Sequence, residues 1–221
     1  MNEVTATIED YLGVILVMER DGNPVTGASL ARHFQVSAPT VTNTFKRMIR
    51  DGWVKMDDNK QVTLTAQGRE IAESVMRRHM LTEWLLIDSL DVPWSETHLE
   101  SHQLEHAISP EVESRMQAHK SKATICPHGN PLPGNEDSVT GWLLLTEFTA
   151  GDQGILRRVH EFGEDNAELL RFLEQKDFLP GTRFKVIEVL PFNETITIEI
   201  KEGHTVSLGS AIIEFLYAER L

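Results

Sequence analysis

The sequence predicts an α+β multidomain fold in three parts: a helix-turn-helix with a β-hairpin wing, a helical middle segment and a small C-terminal β-barrel. Apolar residues recur at helical spacing through the first part, and two β-rich runs around a turn signal at 57–60 predict the hairpin. From about residue 145, apolar or alternating runs are separated by glycine, asparagine and aspartate turns, as a small barrel requires. We place the three parts at residues 1–74, 75–140 and 141–221.

The first part opens with an amphipathic helix that ends near "DGNP". A short second helix and a tight turn at Gln35 and Val36 lead into a third helix, with Ser37 as its N-cap and Pro39 in its first turn. The hairpin "WVKMDDNKQVTLT" then completes a winged helix-turn-helix. The expected apolar faces are Val4, Ile8, Tyr11, Leu12 and Ile15 on the first helix and Val41, Phe45, Met48 and Ile49 on the third.

The polar side of the third helix is a candidate DNA-reading surface. Its side chains can donate to phosphates or base edges. A helical subdomain without a DNA role fits the same pattern, but the wing and a stretch at 37–50 with three basic and no acidic residues favour DNA. The predicted DNA-contacting residues are Ser37, Pro39, Thr40, Asn43, Lys46, Arg47 and Arg50.

The charge of the chain is unevenly distributed. The net charge is −13, which argues against a nucleic-acid partner for the chain as a whole. Residues 1–78, however, hold ten acidic and ten basic side chains, so the whole negative charge lies in 79–221. A neutral N-terminal part can therefore contact DNA while the acidic remainder faces away or collects cations.

Composition also limits the compartment. No run of about 18 apolar residues is present, and the N-terminus lacks the basic flank and apolar core of a signal peptide. The single cysteine, Cys126, excludes an internal disulfide framework and leaves a thiol that is a buried apolar group, a reactive group or a metal ligand. We expect a cytoplasmic protein without a membrane partner.

The middle segment concentrates metal-binding side chains. A long helix is expected from the N-cap Thr65, and a second from Ser95 to Ile108 that carries the motif "HQLEH". At 100° per residue, His98, His102, Glu105 and His106 stand at about 0°, 40°, −20° and 80° around that helix. His79 and Glu83 share one face of the long helix, because they are four residues apart.

Several interpretations compete for this face. It is a solvated acidic helix, a zinc-peptidase site of the H-x-x-E-H type, a regulatory metal site or a purely structural one. The peptidase needs a third protein ligand, a cleft and usually a larger catalytic body. The sequence contains no nucleophile-base-orienter arrangement, phosphate loop or dinucleotide fingerprint, so we expect no enzyme.

Five motifs in order carry a resemblance to a known family. They are "TIEDYL", the wing, "RRHMLTEWL", "EHAISPEVESRM" and "CPHGNPLPG". In these the chain resembles the diphtheria-toxin-repressor family of metal-dependent transcriptional repressors. The resemblance implies a homodimer: the winged helix-turn-helix binds double-stranded operator DNA, the helical domain dimerises and binds a divalent metal, and an SH3-like domain follows. The implied function is repression of metal-ion homeostasis genes.

The resemblance also implies two metal sites. The primary site would use Asp10, His102, Glu105 and His106, with His79 as a further candidate. The ancillary site would use Glu83, His98, Cys126, His128 and a late carboxylate, Glu164 before Asp165 or Glu168. Metal would then crosslink the DNA-binding domain to the dimerisation domain.

The residue types at the primary site indicate which metal ion it would bind. Asp10 is typical of manganese-responsive members, whereas His102 replaces the Cys of iron-responsive and the Glu of manganese-responsive members. Oxygen and imidazole donors at the primary site suit Mn²⁺ or Fe²⁺, with Zn²⁺ possible in vitro because its intrinsic affinity is higher.

The C-terminal part is expected to contain five strands. A helix, "DNAELLRFLEQKDF", interrupts them, and the loop "CPHGNPLPGNEDS" is interpreted as a linker because it is rich in Pro and Gly. The predicted strands lie in "LLLTEF", "RFKVIEVLP", "TITIEI", "TVSLG" and "IIEFLYAERL". The barrel is either a passive packing module or the donor of Glu164.

Overall fold

A computed structural model describes residues 4–221 of the chain. These residues form two compact units. The first contains the described residues up to Arg78 together with Glu105–Ile108, and the second contains His79–Leu104 and Ser109–Leu221. The three-part division at 1–74, 75–140 and 141–221 stays a prediction, because the compact units follow the packing of the backbone and not the sequence motifs.

The first unit has the predicted helix-turn-helix and wing. Ser37 caps α3 by accepting from the backbone N–H of Thr40 at 3.4 Å, and Gln35 forms the turn with φ 52°. The wing is an antiparallel pair with Lys55 opposite Thr63. The elements are α1 (Ala6–Arg20), α2 (Gly27–His33), α3 (Ala38–Arg50), β1 (Val54–Met56), β2 (Val62–Leu64) and the start of α4 (Ala66–Leu90).

The core of this unit follows the predicted apolar faces, with two exceptions. Val4, expected on the first helix, precedes α1 and is half-buried. The ring of Tyr11 on α1 stacks on Phe34 at 4.2 Å between centroids, which joins α1 to the end of α2. Ile49 was expected in the core but is 40% exposed, because it lies at the edge of the α3 stripe. The buried core residues include Ile8, Tyr11, Leu12, Ile15, Leu30, Val41, Phe45, Met48 and Trp53.

Gly68 is required by close packing at the start of α4. The hydroxyl of Thr65 accepts from the Gly68 N–H at 3.0 Å, as expected of an N-cap. A Cβ on Gly68 would lie 1.9 Å from the carbonyl oxygen of Trp53, whereas the nearest atom to a Cβ on Gly13 would be Sδ of the flexible Met76 side chain, at 3.2 Å. The wing backbone therefore approaches α4 so closely that only glycine fits.

Gly68→Ala is expected to destabilise the protein by about 1–3 kcal/mol, because overpacking against a backbone atom outweighs the roughly 1 kcal/mol that alanine gains in a helix interior. Chemical denaturation measures this free energy of unfolding. Gly13→Ala is the matched control and should be close to neutral, because Met76 can move. A stabilised Gly68→Ala variant would contradict the close approach.

The second unit combines helices with one antiparallel sheet. The sheet order is β3-β8-β4-β5-β6-β7. Its core contains Phe178, Leu156, Leu170 and Leu173, among other buried side chains. The elements are the rest of α4, α5 (Trp94–Leu104), α6 (Pro110–His119), β3 (Leu143–Leu144), β4 (Gln153–Val159), α7 (Glu161–Glu164), α8 (Ala167–Gln175), β5 (Arg183–Leu190), β6 (Thr195–Lys201), β7 (His204–Gly209), α9 (Ser210–Ile213) and β8 (Leu216–Arg220), with 3-10 turns at Glu136–Val139 and Leu145–Glu147.

The strand count corrects the sequence prediction. The described sheet has six strands and not the predicted five, and the additional strand is β4, "QGILRRV". Two adjacent arginines and Gly154 hide its alternation. Arg158 is nevertheless buried, at 4% exposure, and Arg157 pairs with Glu219 across the sheet at 2.5 Å.

The "HQLEH" motif does not lie on one α-helix. The helix begins at Trp94, and the Ser95 hydroxyl does not cap it but donates to Glu174 at 2.6 Å. α5 ends at Leu104, and Glu105–Ala107 form a 3-10 turn before α6 starts at its N-cap Ser109. His98 and His102 are thus on α5, whereas Glu105 and His106 are grouped with the first unit.

The segment "CPHGNPLPG" is not an exposed linker. Cys126, His128 and Asn130 are buried at 2%, 0% and 0% exposure. A Cβ on Gly129, which has φ +93°, would lie 1.9 Å from the carbonyl oxygen of Arg157 in β4. The proline and glycine content therefore serves tight packing against the sheet.

Among the described residues, none of the helices combines the length and the apolar character that crossing a bilayer would need.

Candidate nucleic-acid interface and metal centres

The predicted DNA-reading residues lie together on α3 of the first unit. Six of them are exposed and Arg47 is half-buried. The hydroxyls of Thr42 and Thr44 turn back to backbone carbonyls of the helix, so they are less available for contacts with DNA. The exposed residues are Ser37, Pro39, Thr40, Asn43, Lys46 and Arg50.

Asp51 holds the two arginines of this surface. Its carboxylate accepts from Arg50 through two bonds, Nε at 2.8 Å and Nη2 at 3.0 Å, and lies 3.9 Å from Arg47 Nε. Asp51 raises the pKa of Arg50 through this hydrogen bond and through its charge. The third basic side chain of this surface, Lys46, is exposed, and Asp51 is paired with the two arginines instead.

Lys46→Ala is expected to weaken binding about equally on all DNA sequences and to reduce the slope of log affinity against log salt by about 1. The loss of one phosphate contact is the physical reason. Fluorescence anisotropy at several salt concentrations measures the slope. Lys122→Ala, an exposed lysine of the second unit, is the control, and an unchanged slope for Lys46→Ala would remove α3 from the interface.

The first group of metal-binding side chains lies in the first unit, and we name it the α1 cluster. His106 Nε2 lies 3.0 Å from Asp10 Oδ1 and 3.3 Å from Glu105 Oε1. His106 Nδ1 lies 2.6 Å from Glu9 Oε2, and the other Glu9 oxygen accepts from Arg78 at 2.6 Å. The cluster consists of Glu9, Asp10, Glu105 and His106.

The hydrogen bonds of His106 fix which nitrogen is available to a cation. A carboxylate only accepts, so the short contact with Glu9 requires a proton on Nδ1. In the neutral ring, Nε2 then presents a lone pair to the oxygens of Asp10 and Glu105. Three acceptors that converge in this way need a proton or a metal ion between them.

The second group lies in the second unit, and we name it the α4 cluster. Glu83 is at its centre: its Oε1 lies 3.0 Å from His128 Nδ1, 3.2 Å from His79 Nε2 and 3.7 Å from His98 Nδ1. Glu164 Oε2 lies 2.8 Å from His98 Nδ1. The cluster consists of His79, Glu83, His98, Cys126, His128 and Glu164.

The α4 cluster fits a metal by the same argument. Neither oxygen of the fully buried Glu83, nor Nδ1 of His128, makes a well-oriented hydrogen bond with a described residue, although the two lie 3.0 Å apart. His128 Nε2 donates to the Trp94 carbonyl at 3.2 Å, so Nδ1 of the neutral ring is a lone pair aimed at a carboxylate. This lone pair and the Glu83 oxygen repel each other in a buried site unless a proton or a bound cation lies between them.

Protonation of this cluster is shifted by burial and charge. Burial alone would lower the pKa of His98 and of His128, but the hydrogen bonds and charges of the neighbouring carboxylates outweigh it and raise both. Burial opposes ionisation of Glu83, yet His128, His79 and His98 hold its pKa well below the usual range. Burial, Glu83 and Glu164 raise the pKa of the Cys126 thiol.

The metal-free protein is expected to lose stability as pH rises above about 6.5, the ordinary pKa of histidine. The raised pKa values of His98 and His128 stabilise the fold fully below the ordinary value of about 6.5, and this contribution is lost as pH rises through the folded values. Thermal unfolding in chelator measures it. Metal affinity should change in the opposite direction, because ligands must lose protons; parallel slopes would contradict the assignment.

Comparison with known proteins gives the family. Residues 3–62 match the N-terminal DNA-binding domain of iron-dependent repressors, 65–134 match their metal-binding and dimerisation domain, and 143–220 match the FeoA domain. The iron-dependent repressor IdeR of Mycobacterium leprae is 33% identical over 227 residues, which cover 94% of this chain and 99% of the relative. The chain belongs to the diphtheria-toxin-repressor family.

Further members of this family agree in sequence and structure. The diphtheria toxin repressor of Corynebacterium jeikeium is 33% identical over 91% of this chain and 79% of its own length. A solved manganese-dependent transcriptional repressor in complex with manganese gives a TM-score of 0.83 at 30% identity, over 97% of this chain and 100% of its own. ScaR with bound Zn²⁺ gives 0.80 at 27% identity, over 97% and 99%.

Membership in the diphtheria-toxin-repressor family decides the class of function. The family consists of metal-dependent transcriptional repressors and not of enzymes, so the H-x-x-E-H peptidase alternative is excluded. The predicted fold class, with a winged helix-turn-helix, a helical dimerisation domain and a small SH3-like β domain, is confirmed.

Within each unit, the structure brings predicted metal-binding residues together into one group. Asp10, Glu105 and His106 form the first with Glu9, and His79 lies with the second group and not with Asp10. His102 is exposed on α5, and its ring centroid is 6.5 Å from that of His79.

Three residues beside these groups were not predicted from the sequence: Glu9, Asn130 and Arg158. Glu9 precedes Asp10 directly, and a pair of adjacent acids on α1 is a signal that could have found it. Asn130 and Arg158 carry no local signal, because only the fold brings their segments together.

Proposed function

We propose that this repressor is activated by Mn²⁺ or Fe²⁺ for binding to the operators of metal-ion homeostasis genes, as a cytoplasmic homodimer that contacts DNA through α3. The observation that supports this proposal is that His106 Nε2 lies 3.0 Å from an Asp10 oxygen and 3.3 Å from a Glu105 oxygen. We further propose the domain boundaries 1–74, 75–140 and 141–221, with dimerisation through the middle domain.

Asp10, Glu105 and His106 would hold the regulatory ion, with His102 as a further ligand. His102 lies in the last turn of α5, three residues before Glu105 in the 3-10 turn that follows. Oxygen and imidazole donors without sulfur suit Mn²⁺ or Fe²⁺. The bound ion would supply the positive charge that lets these acceptors converge.

The α4 cluster would hold a second ion. His79, Glu83, His98, Cys126, His128 and Glu164 are its candidate ligands. The thiol of Cys126 makes this donor set softer than that of the α1 cluster, so Zn²⁺ is expected to compete more effectively at the α4 cluster in vitro.

The chain's own residues connect the α1 cluster to the DNA-reading surface. Glu9 and Asp10 lie on α1, and Tyr11 of the same helix stacks on Phe34, which directly precedes the turn into α3. Arg78 fixes Glu9 at 2.6 Å and also donates to the Ile108 carbonyl at 3.3 Å. Ordering Asp10 against Glu105 and His106 therefore restrains α1 and, through it, the position of the reading helix.

Operator binding with Mn²⁺ and with chelator tests the proposal. We expect about 5–150-fold tighter binding with the metal, the usual range of allosteric coupling. Reversal by chelator without loss of helical circular dichroism separates this regulator from a protein with a purely structural metal. Equal affinity in both conditions would refute metal activation.

A further inference from the structure

Four polar side chains are buried together behind the α4 cluster, in the second unit. Arg158 of β4 is 4% exposed, Asn130 of the "CPHGNPLPG" segment 0%, and Glu161 and Glu164 of α7 7% and 3%. Burying charged groups is costly unless each has partners. The partners in this group form a connected network.

The network starts at the guanidinium of Arg158. Its Nη2 donates to Glu161 at 2.8 Å, its Nε donates to Asn130 Oδ1 at 2.5 Å, and the group lies 4.8 Å from the ring centroid of Tyr217. The amide nitrogen of Asn130 in turn donates to the Val159 carbonyl at 2.7 Å and to Glu164 Oε1.

The chemistry of these partners fixes the orientation of the Asn130 amide. Arginine can only donate, so the amide oxygen must face it. The amide NH₂ is then directed at two acceptors, the Val159 carbonyl and Glu164. A reversed amide would place two donors together and two pairs of acceptors together in a buried site.

The fixed amide determines which oxygen of Glu164 faces the α4 cluster. Asn130 occupies Oε1, which lies 3.9 Å from His128 Nδ1, whereas Oε2 lies only 2.8 Å from His98 Nδ1. We propose that Asn130, oriented by Arg158, is a positioning residue that presents Glu164 to the second metal centre through Oε2. The inference rests on the proposed metal binding at that cluster.

The backbone ties Asn130 to two further ligands of the cluster. The Cys126 N–H donates to the Asn130 carbonyl at 2.8 Å, and the Val159 N–H donates to the His128 carbonyl at 2.8 Å. Asn130 is therefore placed by the segment that carries Cys126 and His128. Its side chain links this segment to Glu164 on α7.

Cobalt reports on this cluster alone. Cys126 is the single cysteine of the chain, so a near-ultraviolet sulfur-to-cobalt charge-transfer band can arise only where the thiolate binds. Titration of the full-length protein with Co²⁺ gives the affinity from this band. We expect Asn130→Ala to lower that affinity about 10–100-fold, the usual cost of losing an outer-sphere partner of a ligand.

A double-mutant cycle separates positioning from a structural role. If Asn130 acts through Glu164, then Glu164→Ala lowers the Co²⁺ affinity and Asn130→Ala adds no further loss in that background. Arg158→Lys keeps the charge beside Glu161 but lacks the arginine Nε donor, so it should reproduce part of the Asn130→Ala effect. Asn135→Ala, whose amide bonds the Leu132 carbonyl in the same loop, is the control.

The outcomes distinguish the inference from the proposed function. If the wild-type protein shows the charge-transfer band and Asn130→Ala binds Co²⁺ with the same affinity, the positioning role is overturned and the metal centre stands. The positioning role is also overturned if Asn130→Ala lowers the Co²⁺ affinity equally in the wild type and in Glu164→Ala, because additive losses indicate a general packing defect. Absence of the wild-type band overturns the second metal centre and the positioning role with it, whereas Mn²⁺-dependent operator binding then tests the α1 cluster separately.

Discussion

Asp10→Ala is expected to abolish the metal response, so that operator affinity in Mn²⁺ falls about 5–150-fold to its value in chelator. The substitution removes one of the two carboxylates that face His106 Nε2. Glu9 cannot replace it, because its oxygens are held by Arg78 and by His106 Nδ1. Fluorescence anisotropy with labelled operator, with and without Mn²⁺, measures the response.

A matched control keeps this test specific. Glu70→Ala removes an exposed acid of α4 in the same unit and should keep the full Mn²⁺ response. The metal-free Asp10→Ala protein should be at least as stable as the wild type, because one carboxylate is removed from an acidic cluster. An Asp10→Ala variant that still gains affinity with Mn²⁺ would show that the α1 cluster is not the regulatory centre.

Glu83→Gln is expected to eliminate metal binding at the α4 cluster and to destabilise the metal-free fold below about pH 6.5. The estimated loss is about 3 kcal/mol, the low end for removing one partner of a buried ion pair, because the Gln oxygen still accepts hydrogen bonds. Glu83 is the central anion beside three imidazoles, so its removal should also lower the pKa of His98 and His128.

The pH dependence of this loss is its signature. At about pH 8 the imidazoles of the variant are neutral, so the destabilisation should be smaller than at about pH 6. Chemical denaturation at both pH values and the Co²⁺ charge-transfer band measure the two effects. Glu100→Gln, an exposed acid on α5, should change neither, and a Glu83→Gln protein with a normal band would remove Glu83 from the ligand set.

Local signals made the DNA-binding region predictable. Helical spacing, the caps at Ser37 and Thr65 and the turn at 57–60 each depend on neighbours in sequence, and the structure has all of them. The tertiary environment overrode local signals elsewhere. Ser95 resembles an N-cap, but its hydroxyl donates to Glu174 instead. The motif "HQLEH" is divided between α5 and a 3-10 turn, and none of its residues indicates that turn.

The candidate metal residues were predictable because ligand types are rare and their spacing is informative, whereas their supporting residues were not. Asn130 and Arg158 are ordinary residues whose roles depend on the packing of β4 against a segment 28 positions away. The proline and glycine of that segment signalled flexibility, but the structure uses them for close packing at Gly129. A pattern shows which residues can bind a metal and not what orients them.

The difference in burial between the two clusters predicts two timescales for metal exchange. The side chains of Asp10 and His106 are 24% and 20% exposed, so water and ions reach the α1 cluster directly. Glu83 and His128 are fully buried, so we expect an ion to reach them more slowly, past the partly exposed His98 or by local opening of the chain. An ion at the α1 cluster is therefore expected to follow the momentary supply of metal, whereas an ion at the α4 cluster would retain a record of earlier supply.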